Sequence, residues 1–228
     1  MIKKIIWTFI VLCLVGIVAV VYQAFGEHKT IDQNSQKNII YNKYEKHHSK
    51  DFPSFELLKT GDLLFRRGYG VDSTISMNFS QGEKRYSHAG IVQKTDKGIF
   101  VIHSEEDKVH GRNGVYIESI KEFLDGIHIW AVYRFDLSEK LQKEMIDYAL
   151  ELKRKKIIFD IDFNLLDDDK MYCSEFIYKV VNRSTSKGLI TAGKYFVGRK
   201  FVTISDLYQN NSSKLIEISH RIIKDKEI

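Results

Sequence analysis

The sequence predicts an α+β domain with a central antiparallel sheet packed against helices, and three stretches predict it. Ser87 to Ser104 reads as two strands closed by the turn Thr95-Asp96-Lys97-Gly98. Ser138 to about Lys155 places Leu141, Met145, Tyr148, Ala149 and Leu152 at the spacing of one buried helical stripe. Lys170 to Val181 reads as the opening of a second amphipathic helix, with Asp167, Asp168 and Asp169 upstream and Phe176, Ile177, Val180 and Val181 on its apolar face.

The chain has 228 residues, of which 43% are hydrophobic, enough for one domain with a substantial core. The formal net charge of +5 includes Lys3 and Lys4 at the extreme N-terminus. The remaining basic residues are interspersed with acidic ones, which excludes a nucleic-acid track. Behind those lysines, Ile5 to Val21 is an uncharged, almost wholly apolar run. Roughly 17 to 20 such residues cross a bilayer core. The run predicts a single-pass membrane anchor over residues 1–24, with the catalytic domain extracytoplasmic. A cleaved signal peptide is the alternative, although Tyr22-Gln23-Ala24 is a poor cleavage site. Residues 25–54 are polar and read as a linker that Pro53 closes, which leaves 55–228 as the folded domain.

Within that domain Gly61 to Gly68 reads as a short buried strand bounded by glycines. Val71 to Phe79 reads as a short helix or loop. In the hairpin that follows, Asp96 and Lys97 at the turn pair Lys94 with Ile99, Ile91 with Ile102 and Gly90 with His103. Side chains alternate along a strand, so His88, Gly90 and Val92 share a face with Val101, His103 and Glu105. The two histidines then lie diagonally, about 7 Å apart at Cβ. Gly114 to Glu118 and Ile127 to Arg134 supply further strands, with a short helix at Ser119 to Leu124 between them. Ile190 to Phe201 is ambiguous, Ile204 to Leu207 reads as one helical turn, and Lys214 to Ile228 as strand or tail.

Cys173 lies in or before the first turn of its helix, where unpaired backbone N–H groups and the positive helix end favour a thiolate. The other cysteine, Cys13, sits in the apolar N-terminal run. A nucleophilic thiol needs a base, and the base needs a third polar group to hold its ring. His88 is the candidate base and His103 the candidate orienting residue, with Glu105 competing for that role. Pairing with an imidazolium predicts a Cys173 pKa below the free value of about 8.5. A structural zinc site from Cys173, His88 and His103, with His110 or Glu105 as fourth ligand, is a second arrangement of the same residues. No closely spaced pair of ligands marks such a site.

Four motifs in order, Gly61-Asp62-Leu63-Leu64-Phe65, Ser87-His88-Ala89-Gly90-Ile91-Val92, Val101-Ile102-His103-Ser104 and Tyr172-Cys173-Ser174-Glu175-Phe176-Ile177, resemble the circularly permuted papain-like hydrolases of the YiiX/YebB type. These belong to a wider NlpC-type superfamily, and the resemblance covers about Phe55 to Asn182. A histidine at the third polar position also resembles lecithin:retinol acyltransferase relatives.

The resemblance implies a permuted papain-like fold whose nucleophile, Cys173, stands at a helix N-terminus, with His88 as base and His103 as orienting residue. It implies a cysteine hydrolase, without cofactor or metal, that cleaves an amide in a peptide or peptidoglycan fragment through a thioester. Lipid ester or N-acyl amide chemistry on the same triad is the alternative. A membrane-tethered binding module without activity is a further one.

Overall fold

The structure is a computed structural model that describes residues 52–68, 85–185, 188–192, 194–196 and 199–219. All of them belong to one unit, Ser49–Ile228. The strands are β1 (Leu63–Arg66), β2 (His88–Thr95), β3 (Gly98–Asp107), β4 (Arg112–Ser119), β5 (Trp130–Phe135), β6 (Lys194–Phe196), β7 (Arg199–Phe201) and β8 (Ser213–Ile218). The helices are α1 (Ile120–Phe123), α2 (Glu139–Arg154), α3 (Cys173–Thr185) and α4 (Ile204–Tyr208). Six strands form one sheet in the order β4-β3-β2-β1-β5-β8, and β6 pairs with β7 apart from it. Every pairing between these strands is antiparallel. The expected α+β architecture, an antiparallel sheet packed against helices, is the one observed.

The β2–β3 hairpin has the register that its turn predicts, with Ile91 opposite Ile102 and Lys94 opposite Ile99. A diagonal approach of His88 and His103 follows from that register. Gly90 makes it possible: a Cβ there would lie 2.3 Å from Val101 Cγ1 and 3.2 Å from His103 Cβ. β1 lies between β2 and β5, and Arg66 stands directly opposite His88. Asp62 closes this corner by accepting from Arg134 Nε at 2.6 Å and Arg134 Nη2 at 2.8 Å. That pair ties the entrance of β1 to β5.

Both faces of the sheet are covered. On one face Leu63, Phe65, Ala89, Ile91 and Ile102 meet Met145, Ala149 and Leu152 of α2 and Phe176, Ile177, Val180 and Val181 of α3. On the other, Leu64, Val92, Val101, Trp130 and Val132 meet Leu58, Ile120, Phe123 and Leu124. Each large apolar side chain buried this way contributes roughly 1.5–3 kcal/mol. The helices that cover the sheet are capped as their sequences suggest. Ser138 Oγ accepts from Leu141 N–H to start α2, and Ser119 forms a reciprocal capping box with Glu122 to start α1.

The helix or loop expected at Val71 to Phe79 lies outside the described residues, as do the segments 1–24 and 25–48. The single-pass topology and extracytoplasmic placement expected from Ile5 to Val21 require correction. Among the described residues no helix is long and apolar enough to cross a membrane. Membrane attachment therefore has no support in the described fold, and neither the anchor nor a membrane partner is carried into the functional account.

Candidate metal centre

Period-two alternation decides where the site lies. Ala89 and Ile91 of β2 point to the α3 face, so His88, Gly90 and Val92 point to the α1 face. His88 Nε2 and His103 Nδ1 meet there at 2.9 Å, with the ring planes at 89°. Phe123 of α1 packs against both imidazoles, at centroid separations of 5.7 Å from His88 and 5.2 Å from His103. Glu105, two residues beyond His103 on the same face of β3, brings a carboxylate to the pair. One ligand atom from each of His88, His103 and Glu105 can be chosen so that all lie within 4.8 Å of one another.

β4 adds the next layer. Glu118 lies opposite Val101 in the β3–β4 register and shares the histidine face. Its Oε1 is 3.1 Å from His103 Nε2, the ring nitrogen that does not face His88. Arg112, also on β4, donates from Nη1 to Glu105 Oε1 at 3.0 Å and to Glu118 Oε2 at 2.6 Å. Arg66 donates from Nη2 to Glu105 Oε2 at 3.2 Å and from Nη1 to the Phe123 carbonyl at 2.5 Å. Its guanidinium carbon lies 4.4 Å from the centroid of the Phe123 ring. The carboxylates are thus held by two guanidinium groups, and one of them stands beside a histidine.

Protonation follows from these contacts. Burial holds the His88 imidazole well below 6.5, and the neighbouring Arg66 guanidinium acts in the same direction. His88 is therefore neutral at pH 7, and in its 2.9 Å contact with His103 one of the two facing nitrogens carries the proton, which a bound ion would displace. Burial alone would raise the Glu118 carboxyl, but His103 and Arg112 hold it down at about 2. Bonding to Glu118 and Glu105 raises the Arg112 guanidinium above its ordinary value.

Cys173 packs with the core on the α3 face of the sheet, within electrostatic reach of Arg66. Ser104, on the face of β3 opposite His103, donates from Oγ to the Met171 carbonyl at 2.6 Å and anchors the segment entering α3 on that face. The thiol is buried in the core cluster shared with α2 and α3. No hydrogen bond joins it to His88 or His103 among the described residues. Burial pushes the thiol up to about 11, even though backbone N–H groups of Cys173 and Ser174 favour the thiolate. The expectation of a pKa below about 8.5 is overturned. With it falls the cysteine hydrolase: the ionisable cluster displayed is His88, His103 and Glu105, and the helix that carries Cys173 packs on the other face of the sheet.

Of the residues singled out in the sequence, the structure brings His88, His103 and Glu105 together. His110 is drawn away to Asp107, with Nδ1 2.5 Å from Oδ2, which removes it from the zinc set considered above. Glu118, Arg66 and Arg112 were not anticipated as site residues. The available signal was an acidic residue at the end of a strand next to the histidine hairpin.

The comparisons agree on the fold. No curated protein matches the chain. Among solved structures, the chain is similar to the crystal structure of metalloprotein YiiX from Escherichia coli O157:H7, at 18% identity and a TM-score of 0.58. That similarity covers 70% of this chain and 97% of the other. The cysteine chemistry attached to the motif resemblance is not carried over, because the site geometry contradicts it. Residues 57–216 match the family described as permuted papain-like amidase enzymes, YaeF/YiiX, C92, and the chain belongs to that family.

Proposed function

We propose that this protein is a metal-dependent amide hydrolase whose divalent ion, of the zinc class, is held by His88, His103 and Glu105. The observation that carries the reading is the convergence of two imidazole nitrogens 2.9 Å apart with a carboxylate beside them. Two imidazoles and one carboxylate match a ligand set of catalytic zinc sites, which use three protein ligands and leave one position open. The fit extends outward. His103 faces the cluster with Nδ1 and Glu118 with Nε2, and an outer carboxylate on the far nitrogen of a ligating histidine is the usual support of such a site.

An ion bound there supplies Lewis acidity, polarising an amide carbonyl and making water more acidic. The chain's own residues prepare for it. Glu118 Oε1 stands 3.1 Å from His103 Nε2, and a proton held on that nitrogen would leave the Nδ1 lone pair for the cluster. Burial keeps His88 neutral, as a ligand must be. Arg112 fixes Glu105 and Glu118 together, so the inner and outer carboxylates move as one. Arg66 places a partly desolvated positive charge beside His88, where it favours the negative charge that develops on an amide oxygen. Phe123 closes one side of the imidazoles against water.

Two comparisons support the reading without deciding it. The similar YiiX structure is described as that of a metalloprotein, and the family is described as amidases. Calorimetric titration of metal-depleted protein with zinc tests the proposal. One ion per chain is expected, with binding weakened at least tenfold in His88→Ala and Glu105→Ala. Equal affinity in the wild type and both variants would refute it.

A further inference from the structure

A cleft of about 530 Å3 opens beside the cluster, within the size range of small-ligand sites. Its floor is Arg66, Arg112, Glu105 and Glu118, and its rim includes Lys121 from α1 and Asp125 just beyond that helix. Every lining residue is ionisable. A lipid chain seated there would strip water from charged groups and offer them no partner, a cost of several kcal/mol. The mixture of signs is equally restrictive. A polyanion meets the carboxylates, and a polycation meets the guanidinium groups.

Most of these charges are already engaged. Glu105 and Glu118 are held by arginines, Asp107 by His110, and Glu122 by the Ser119 cap. Lys121 and Asp125 differ. Both are exposed, and among the described residues neither side chain makes an ion pair or hydrogen bond. One cation and one anion, four residues apart on the rim, are therefore free to receive a ligand of complementary charge.

We propose that this cleft takes a short hydrophilic amide bearing both a carboxylate and an ammonium group, a small zwitterionic peptide. Lys121 receives the carboxylate and Asp125 the ammonium group. The inference rests on the reading of the cluster as the hydrolytic centre, and it names the substrate class of that centre. Each contact is a charge-assisted hydrogen bond at the exposed rim, worth about three- to fivefold in affinity.

Binding is measured by NMR titration of the full chain, metal-free and zinc-loaded, with three probes: alanyl-alanine, N-acetyl-alanyl-alanine amide and N-octanoylalanine amide. Alanyl-alanine should bind best, and removing both of its charges should weaken binding by about tenfold or more. Lys121→Ala and Asp125→Ala should each weaken alanyl-alanine by roughly three- to fivefold. Lys121→Arg and Asp125→Glu should restore it, and none of the four changes should alter zinc affinity. Preference for the octanoyl probe, or equal binding of alanyl-alanine by wild type and both alanine variants, would overturn the proposal. If alanyl-alanine binds as expected but no variant of the cluster changes zinc affinity, the cleft assignment stands and the metal reading falls.

Discussion

Glu118 Oε1 lies 3.1 Å from His103 Nε2, while His103 Nδ1 faces His88 at 2.9 Å. One ring thus has a carboxylate behind it and an imidazole in front. If Glu118 sets the tautomer, Glu118→Gln should weaken zinc binding by about 10- to 100-fold, the usual range for an outer partner of a ligating histidine. Competition titration against a chromophoric chelator reads this directly. An unchanged dissociation constant would show that Glu118 serves packing alone.

Gly90 carries the second prediction. An added methyl group would meet Val101 Cγ1 at 2.3 Å and crowd His103 Cβ at 3.2 Å. Val101 is a core residue with little room to yield. Gly90→Ala should cost roughly 1–3 kcal/mol, seen as a melting temperature several degrees lower. Zinc affinity should fall too, because His103 must shift. A variant that melts with the wild type would contradict the close approach of β2 and β3.

How much of this was legible in the sequence depends on what sets each feature. The hairpin register was legible because a two-residue turn between patterned strands fixes it, and the histidine pair followed from that register. The helix at Ser138 was legible from its apolar stripe. The face that α3 covers was not. Ala89 and Ile91 are apolar, but so are Gly90 and Val92, because both faces of this sheet are buried. Composition therefore could not say on which side Cys173 would lie. Glu118 was missed for a related reason. It lay within an expected strand, but its neighbour across the sheet depends on the β3–β4 pairing, which no short turn motif announced. Arg66 was visible only as the end of a strand until β1 was seen to lie against β2.

Glu175 makes the third prediction, independent of the metal centre. It is fully buried in the first turn of α3. Burial pushes its carboxyl up to about 7, although Lys179 Nζ lies 2.8 Å away. The folded-state value lies above the unfolded one, so the favourable contribution is fully present below about 4.5 and is lost as pH rises through about 7. The effect is on the order of 3 kcal/mol at most. Denaturant unfolding of wild type and Glu175→Gln at pH 5 and pH 8 isolates it. The variant should gain on the wild type by roughly 1–3 kcal/mol between the two pH values. A constant or reversed difference would contradict the assignment.

The central claim is that the chemistry belongs to the imidazole and carboxylate cluster and not to the thiol on the other face of the sheet. The most direct measurement is amide hydrolysis by zinc-loaded wild type, Cys173→Ala, His88→Ala and Glu105→Ala, with zinc content determined in each sample. The account predicts that Cys173→Ala keeps activity within a few-fold of wild type, while His88→Ala and Glu105→Ala lose both the ion and at least a hundredfold in kcat/KM, about 2.7 kcal/mol of transition-state stabilisation. Abolition of turnover in Cys173→Ala with full zinc content would contradict it.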